Sequence, residues 1–214
     1  MFQKFVKWGV IVNIILFFSA LAFAQAPDTV PNLKLPITSS QFIKYYKKDK
    51  DGYAIFLDKY SKLTQLLNEQ EINFPIKNES FGYDRFTQDI RYYVVGGFVQ
   101  DNYLYKVIIY NGYGEADTQM LNIQLNSYDE QGKLIDALLL DSQYRYEDVS
   151  SFNQFSVNED LTINLKQFVT YYYDEDYEYI DPKPEFYKEQ IYQINQGQFK
   201  LVSSKMAEKF EWQQ

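Results

Sequence analysis

From about residue 85 to 203 the chain takes on the character of β-strand, and in two stretches apolar and polar positions trade places at every second residue. Leu121, Ile123 and Leu125 alternate with Asn122, Gln124 and Asn126, and Leu161, Ile163 and Leu165 alternate with Thr162, Asn164 and Lys166. A period of two places each set on one face of a strand, so both stretches predict half-buried β-strands. Residues 103–110 and 134–140 are nearly continuous apolar runs, as central strands covered on both faces would be. Residues 186–194 break the alternation and predict a bulge. Gly96 and Gly97 fall inside a strand pattern without the flanks of a phosphate-cradling loop, so close backbone packing or a bulge accounts for them.

Short polar breaks punctuate these strands. Asp101-Asn102 and residues 129–132, 158–160 and 195–197 read as tight hairpin turns, with Gly132 and Gly197 supplying positive φ. Between them lie connections that read as longer, at 111–116, 147–150 and 174–184. Successive connections of an antiparallel meander alternate between its two ends. The tight turns therefore gather at one end and the three longer loops at the other.

Upstream the spacing changes. Ser39 and Ser40 suit the N-cap of a short helix over 41–48, ended by a turn at Lys50, Asp51 and Gly52. Leu63, Leu66 and Leu67 predict a second helix over 58–70, stopped at Asn73-Phe74-Pro75. This helical segment, 39–72, is expected to cover one face of the sheet. Residues 33–62 are locally basic, with seven lysines against three aspartates. Pro27, Pro31 and Pro36 make 25–38 an extended lead-in.

The first residues carry a different message. Lys4 and Lys7 precede an apolar run over 8–23, and Ala22-Phe23-Ala24 places small residues where a signal peptidase reads them. This predicts a secretory leader over 1–24, cleaved between Ala24 and Gln25, and a periplasmic or secreted chain with no stable membrane insertion afterwards. A single mainly-β domain over 39–214 follows, with the meander over 85–203 and a tail over 204–214.

Composition narrows the chemistry. The formal net charge is −8, and the leader would remove two lysines and no acid. Such a surface repels nucleic acid. The chain has no cysteine and no histidine, which excludes disulfides, thiolate chemistry, imidazole metal ligands and every histidine-based triad. Neither a catalytic group, a metal nor a cofactor is expected.

The densest feature is residues 171–182, YYYDEDYEYIDP, with five carboxylates and five tyrosines. The strand before it keeps its apolar face through Val169, which directs Tyr171 and Tyr173 inward. Asp174, Glu175, Asp176, Glu178 and Asp181 then form a loop beside Glu147, Asp148 and Glu115. Tyr172, Tyr177, Tyr179 and Tyr113 would lend it aromatic surface, the side-chain type enriched at interfaces. Clustered charge focuses a field and suits a basic protein partner. Asp174, Asp176 and Glu178 have the alternating spacing of calcium ligands, but no glycine lets the chain wrap an ion.

The fold expected is α+β and mainly β: a short N-terminal helical segment followed by a large curved antiparallel β-meander of about eight strands. The function expected is a non-catalytic protein-binding module of the bacterial cell envelope, of inhibitor or immunity type. The alternatives are an envelope lipid- or glycan-binding protein, which would need an open pocket inside the curved sheet, and a carboxylate-based hydrolase.

Overall fold

The computed structural model describes residues 30–79, 89–114, 117–173, 176 and 178–208. In chain order the elements are β1 (Ile37–Thr38), two 3-10 turns (Ser39–Gln41 and Ile43–Tyr45), β2 (Tyr46–Lys48), β3 (Ala54–Phe56), a 3-10 turn (Asp58–Leu63) and α1 (Glu69–Ile72). Eight long strands follow: β4 (Tyr93–Gln100), β5 (Tyr103–Tyr113), β6 (Gln119–Tyr128), β7 (Leu134–Tyr146), β8 (Val149–Val157), β9 (Thr162–Tyr171), β10 (Glu185–Asn195) and β11 (Gln198–Met206). They pair antiparallel in sequence order from β4 to β11, the predicted meander.

The meander folds over on itself between β7 and β8. These two strands pair only from Tyr144–Ser151 to Tyr146–Val149, next to their hairpin. Beyond that they part, and β4–β7 faces β8–β11 across one core. Leu121, Ile123, Leu125, Leu138 and Leu140 from the first half meet Phe155, Val157, Ile163, Leu165, Ile194 and Phe199 from the second, all nearly inaccessible to solvent.

Parting leaves two strand edges without a ladder partner, and buried backbone groups need one. The vacated edge of β8 is taken by β1, with Ile37 opposite Val157. The vacated edge of β7 is closed piecemeal. Asn153 Nδ2 donates to Leu140 O (3.0 Å) while Asp141 Oδ1 accepts from Asn153 N (2.6 Å). Further along, Lys77 N donates to Ala137 O and accepts at its own carbonyl from Leu139 N. Last, Asp136 Oδ2 accepts from Phe199 N (2.8 Å) and from Lys77 Nζ (2.5 Å), tying β11 back to β7.

The outer edge of β4 is covered by the lead-in, where Leu33 N donates to Gly97 O and Gly97 N to Pro31 O. A Cβ on Gly96 would lie 2.6 Å from Leu33 Cγ, and the register shifts between Val94 and Gly96. Both expectations for this glycine pair, close packing and a bulge, hold. The expected irregularity in 186–194 is also present, with shifts at Phe186/Lys188 and Ile191/Tyr192.

The turns follow the predicted polarity. Gly132 and Gly197 have φ of +76° and +75°, and a Cβ on Gly197 would meet Ile135 Cδ1 at 2.8 Å. The loop end departs from expectation. Glu147 (φ +49°) and Asp148 form a two-residue turn, and β5 continues to Tyr113, where Gly114 N bonds Thr118 O. Of the three long loops only the connection after β9 remains. Asn111, Gly112 and Tyr113, and likewise Val149 and Ser150, pair as strand although polar residues break the apolar pattern around them.

Neither predicted helix, the short one over 41–48 nor the one over 58–70, forms over its full length. Over 41–48, Phe42 and Tyr45 are drawn into the core and Tyr45 Oη donates to Val95 O, while Tyr46–Lys48 pairs with β3 as a hairpin. Asp49 Oδ1 accepts from the N–H groups of Asp51 and Tyr53, making the Asp49–Gly52 region that hairpin's turn. Over 58–70, Gln65 N bonds Tyr92 O and Thr64 bridges Tyr93, so the edge of the sheet extends the chain. Leu63 packs on the inner core, Leu67 on the outer face, and Leu66 is 93% exposed. Local periodicity lost to tertiary hydrogen bonding. Besides the 3-10 turns, the described residues keep α-helix only at α1, where Asn68 and Glu71 form a capping box.

This strap, residues 64–78, explains a second departure. Asn122, Gln124 and Asn126 on β6 were expected to face water, yet each is at most 4% exposed. The strap lies over them. Gln124 and Asn126 are joined in a chain from Tyr110 Oη to Gln124, to Asn126, to Tyr128 Oη, ending on Glu71 of α1 (2.8 Å).

Candidate functional site

The acidic end is partly visible. Glu115, Asp174, Glu175 and Tyr177 lie outside the described residues. Asp176, Glu178 and Asp181 are exposed, with Lys183 Nζ 3.6 Å from Asp181. Glu147 is exposed on its turn, and the half-buried Asp148 accepts Tyr172 N at its carbonyl (2.9 Å). Tyr172 lies beneath the Arg145 guanidinium, 4.2 Å from ring centre to Cζ, and its hydroxyl meets Ser150 Oγ at 3.2 Å.

Tyr173, expected to point inward, is 41% exposed. The chain has left β9 by then, and Tyr173 bridges Tyr179 with the two rings edge to face at 6.0 Å. Glu147, Asp148, Tyr172 and Tyr179 thus share one end. Tyr113 ends β5 and is separated from β7 by β6. Among the described residues no group of three acids is placed to hold a metal ion.

A second site lies where β7 and β8 part. The fork opens a cleft of about 630 Å³, lined on one side by Ser39, Ser40, Ile43, Tyr46, Lys47 and Lys48. Its other wall is β7 and β8, with Asp141, Gln143 and Tyr144 facing residues 150–154. The clamp formed by β1–β3 is therefore what turns a gap between strands into a cavity.

Asp141 sits at the cleft's floor and is 1% exposed. A bulge at the Ile123/Gln124 step of the β6–β7 pairing turns Asp141 toward the interior, opposite Ile123. Burial raises its pKa to about 7, against the lowering effect of hydrogen bonds from Asn153 N, the Gln143 amide and Ser142 N. Gln143 Nε2 also donates to Tyr46 Oη at 2.8 Å, linking clamp to strand. Burial raises the Tyr46 phenol as well, opposed by the Gln143 hydrogen bond and assisted by the Asp141 charge.

Chemically the cleft offers hydroxyls, amides, two lysines and one carboxyl group. Asp141 is the sole carboxylate among its lining residues, so the pair that glycoside hydrolysis uses is not assembled there. Nothing in the local sequence marks this site, because its walls lie about a hundred residues apart in the chain. The one available signal is Asp141 itself, an acid closing the apolar run 137–140.

No protein-family model, no curated protein and no solved structure matches this chain.

Proposed function

We propose that this chain is an exported, non-catalytic binding protein whose site is the cleft at the β7–β8 fork. The observation that carries this reading is the cleft itself. Its volume of about 630 Å³ falls within the roughly 300–1,000 Å³ typical of small-molecule sites. It combines apolar walls (Ile43, Ala54, Phe152) with a few converging polar groups, the usual composition of such sites. The ligand is of envelope origin, lipid or glycan. Thermal-shift screening with such compounds, followed by amide chemical-shift mapping, tests it. A hit should raise the melting temperature and perturb Tyr46–Lys48 and residues 141–154. If hits perturb only other surfaces, the cleft is packing space and the reading fails.

A second reading, a protein partner at the loop end, is favoured by one observation. Tyr146, Tyr173, Tyr179 and Ile180 are all more than a third exposed beside Glu147, Asp176, Glu178 and Asp181. Exposed aromatic surface within an acidic field suits a basic protein, with an association rate that falls as salt rises.

A further inference from the structure

The clamp differs in charge from the protein it belongs to. The whole chain is at −8, whereas residues 33–62 hold seven lysines against three aspartates. Two of those lysines, Lys47 and Lys48, are exposed and line the cleft. The acids of the same segment are otherwise engaged or distant. Asp49 accepts two N–H groups of its own turn, Asp51 lies 4.0 Å from Lys50, and Asp58 does not line the cleft. Burial raises the pKa of Asp141 beneath them to about 7, which lessens the charge it sets against a negative ligand. In a protein of net charge −8, two exposed lysines of the clamp line a cavity. Charge of that kind selects an anion.

The remainder of the lining describes the body attached to that anion. Hydroxyl and amide groups of Ser40, Gln143, Ser150 and Gln154 are interspersed with Ile43 and Phe152. An acyl chain requires an unbroken apolar wall, because each polar group it covers loses its water without compensation. A sugar ring presents hydroxyls at its rim and C–H groups on its face, which matches the mixed lining. Phe152, packed at 5.4 Å on Phe168, offers a fixed ring for that face.

Resting on the ligand-binding reading above, we infer that the cleft takes a small acidic saccharide, its carboxylate held by Lys47 and Lys48 and its hydroxyls by the amides and serines of the floor.

The test is isothermal titration of the full exported chain with three probes: a uronate disaccharide, its neutral hexose counterpart, and oleate. The same titrations are run on the double variant Lys47→Gln/Lys48→Gln, whose melting temperature should match wild type because both side chains are exposed. The uronate should bind wild type at least tenfold more tightly than the neutral sugar, and the double variant should erase that difference. Equal affinity for both sugars, or a uronate affinity indifferent to the lysines, overturns the charge assignment while leaving a ligand-binding cleft. Binding of oleate in preference to either sugar overturns the saccharide and likewise leaves the cleft standing. If none of the three binds, the acidic saccharide is overturned, and the wider screen alone then decides whether the cleft binds anything.

Discussion

Two buried aspartates on β7 do work that backbone ladders do elsewhere. Asp141 accepts from β8 at the fork, and Asp136 accepts from β11 at the closing seam. They differ in cost. Asp141 has only neutral donors, and its folded pKa near 7 lies above its unfolded value of 3.8. The native state then binds more protons than the unfolded state between those values, so the contribution of Asp141 to stability is greatest at low pH and falls as pH rises toward 7, by at most about 1.4 kcal/mol per unit. Asp141→Asn should flatten that slope while keeping an acceptor for Asn153 N. Chemical denaturation of both proteins from pH 4 to 8 measures it, and parallel curves would refute the assignment. Asp136 has Lys77 as partner. Asp136→Ala strands the Phe199 N–H and should cost about 1–3 kcal/mol by the same measurement.

The strap is the element that sequence periodicity described least well. Leu63, Leu66 and Leu67 share one face in a helix but point three ways in the structure, into the inner core, into solvent and onto the outer face of the sheet. Substitution separates the two descriptions. Leu66→Ser should change stability by less than about 0.5 kcal/mol, as exposed positions do. Leu67→Ala should cost more, on the order of 1–2 kcal/mol, because it packs against Tyr92, Val94, Ile108 and Tyr110. Equal losses at both positions would restore the helix. The contrast with β4–β11 has a physical source. A strand's alternation is imposed by the sheet it joins, so Leu121–Leu125 is readable from one short stretch. The strap is held by hydrogen bonds to Tyr92, Ala137 and Leu139, which no local pattern encodes. The cleft was invisible for the same reason: Tyr46 and Asp141 meet only because β7 and β8 part.

At the scale of the whole molecule, charge is divided between a basic clamp and an acidic loop end. Replacing Asp176, Glu178 and Asp181 with their amides should leave the melting temperature unchanged or slightly raised, because these exposed acids relieve one another's repulsion when neutralised. The same variant should recover fewer basic proteins from an envelope extract, with weaker salt dependence, if the loop end recruits a partner. Identical recovery would leave the loop end as solvated surface. The proposed leader is tested by intact-mass measurement of the envelope fraction: cleavage as proposed gives Gln25 as the first residue, and a detergent-extracted species retaining residues 1–24 would mean an anchor.

The piecemeal closure of β7 also bears on when the chain can fold. Lys77 bonds both Asp136 and the Phe199 carbonyl, groups 59 and 122 residues away along the chain. Contacts of such separation form late, since the loop entropy they cost must be met before they reward it. Until β11 has been synthesised, Asp136 lacks the Phe199 N–H, and the seam between β11 and β7 cannot close. A nascent chain cut short after β9 should therefore stay open and protease-sensitive, however good its individual hairpins. If the chain is exported through a narrow channel, as proposed, a fold that cannot close until its last strand arrives keeps it translocatable for longest.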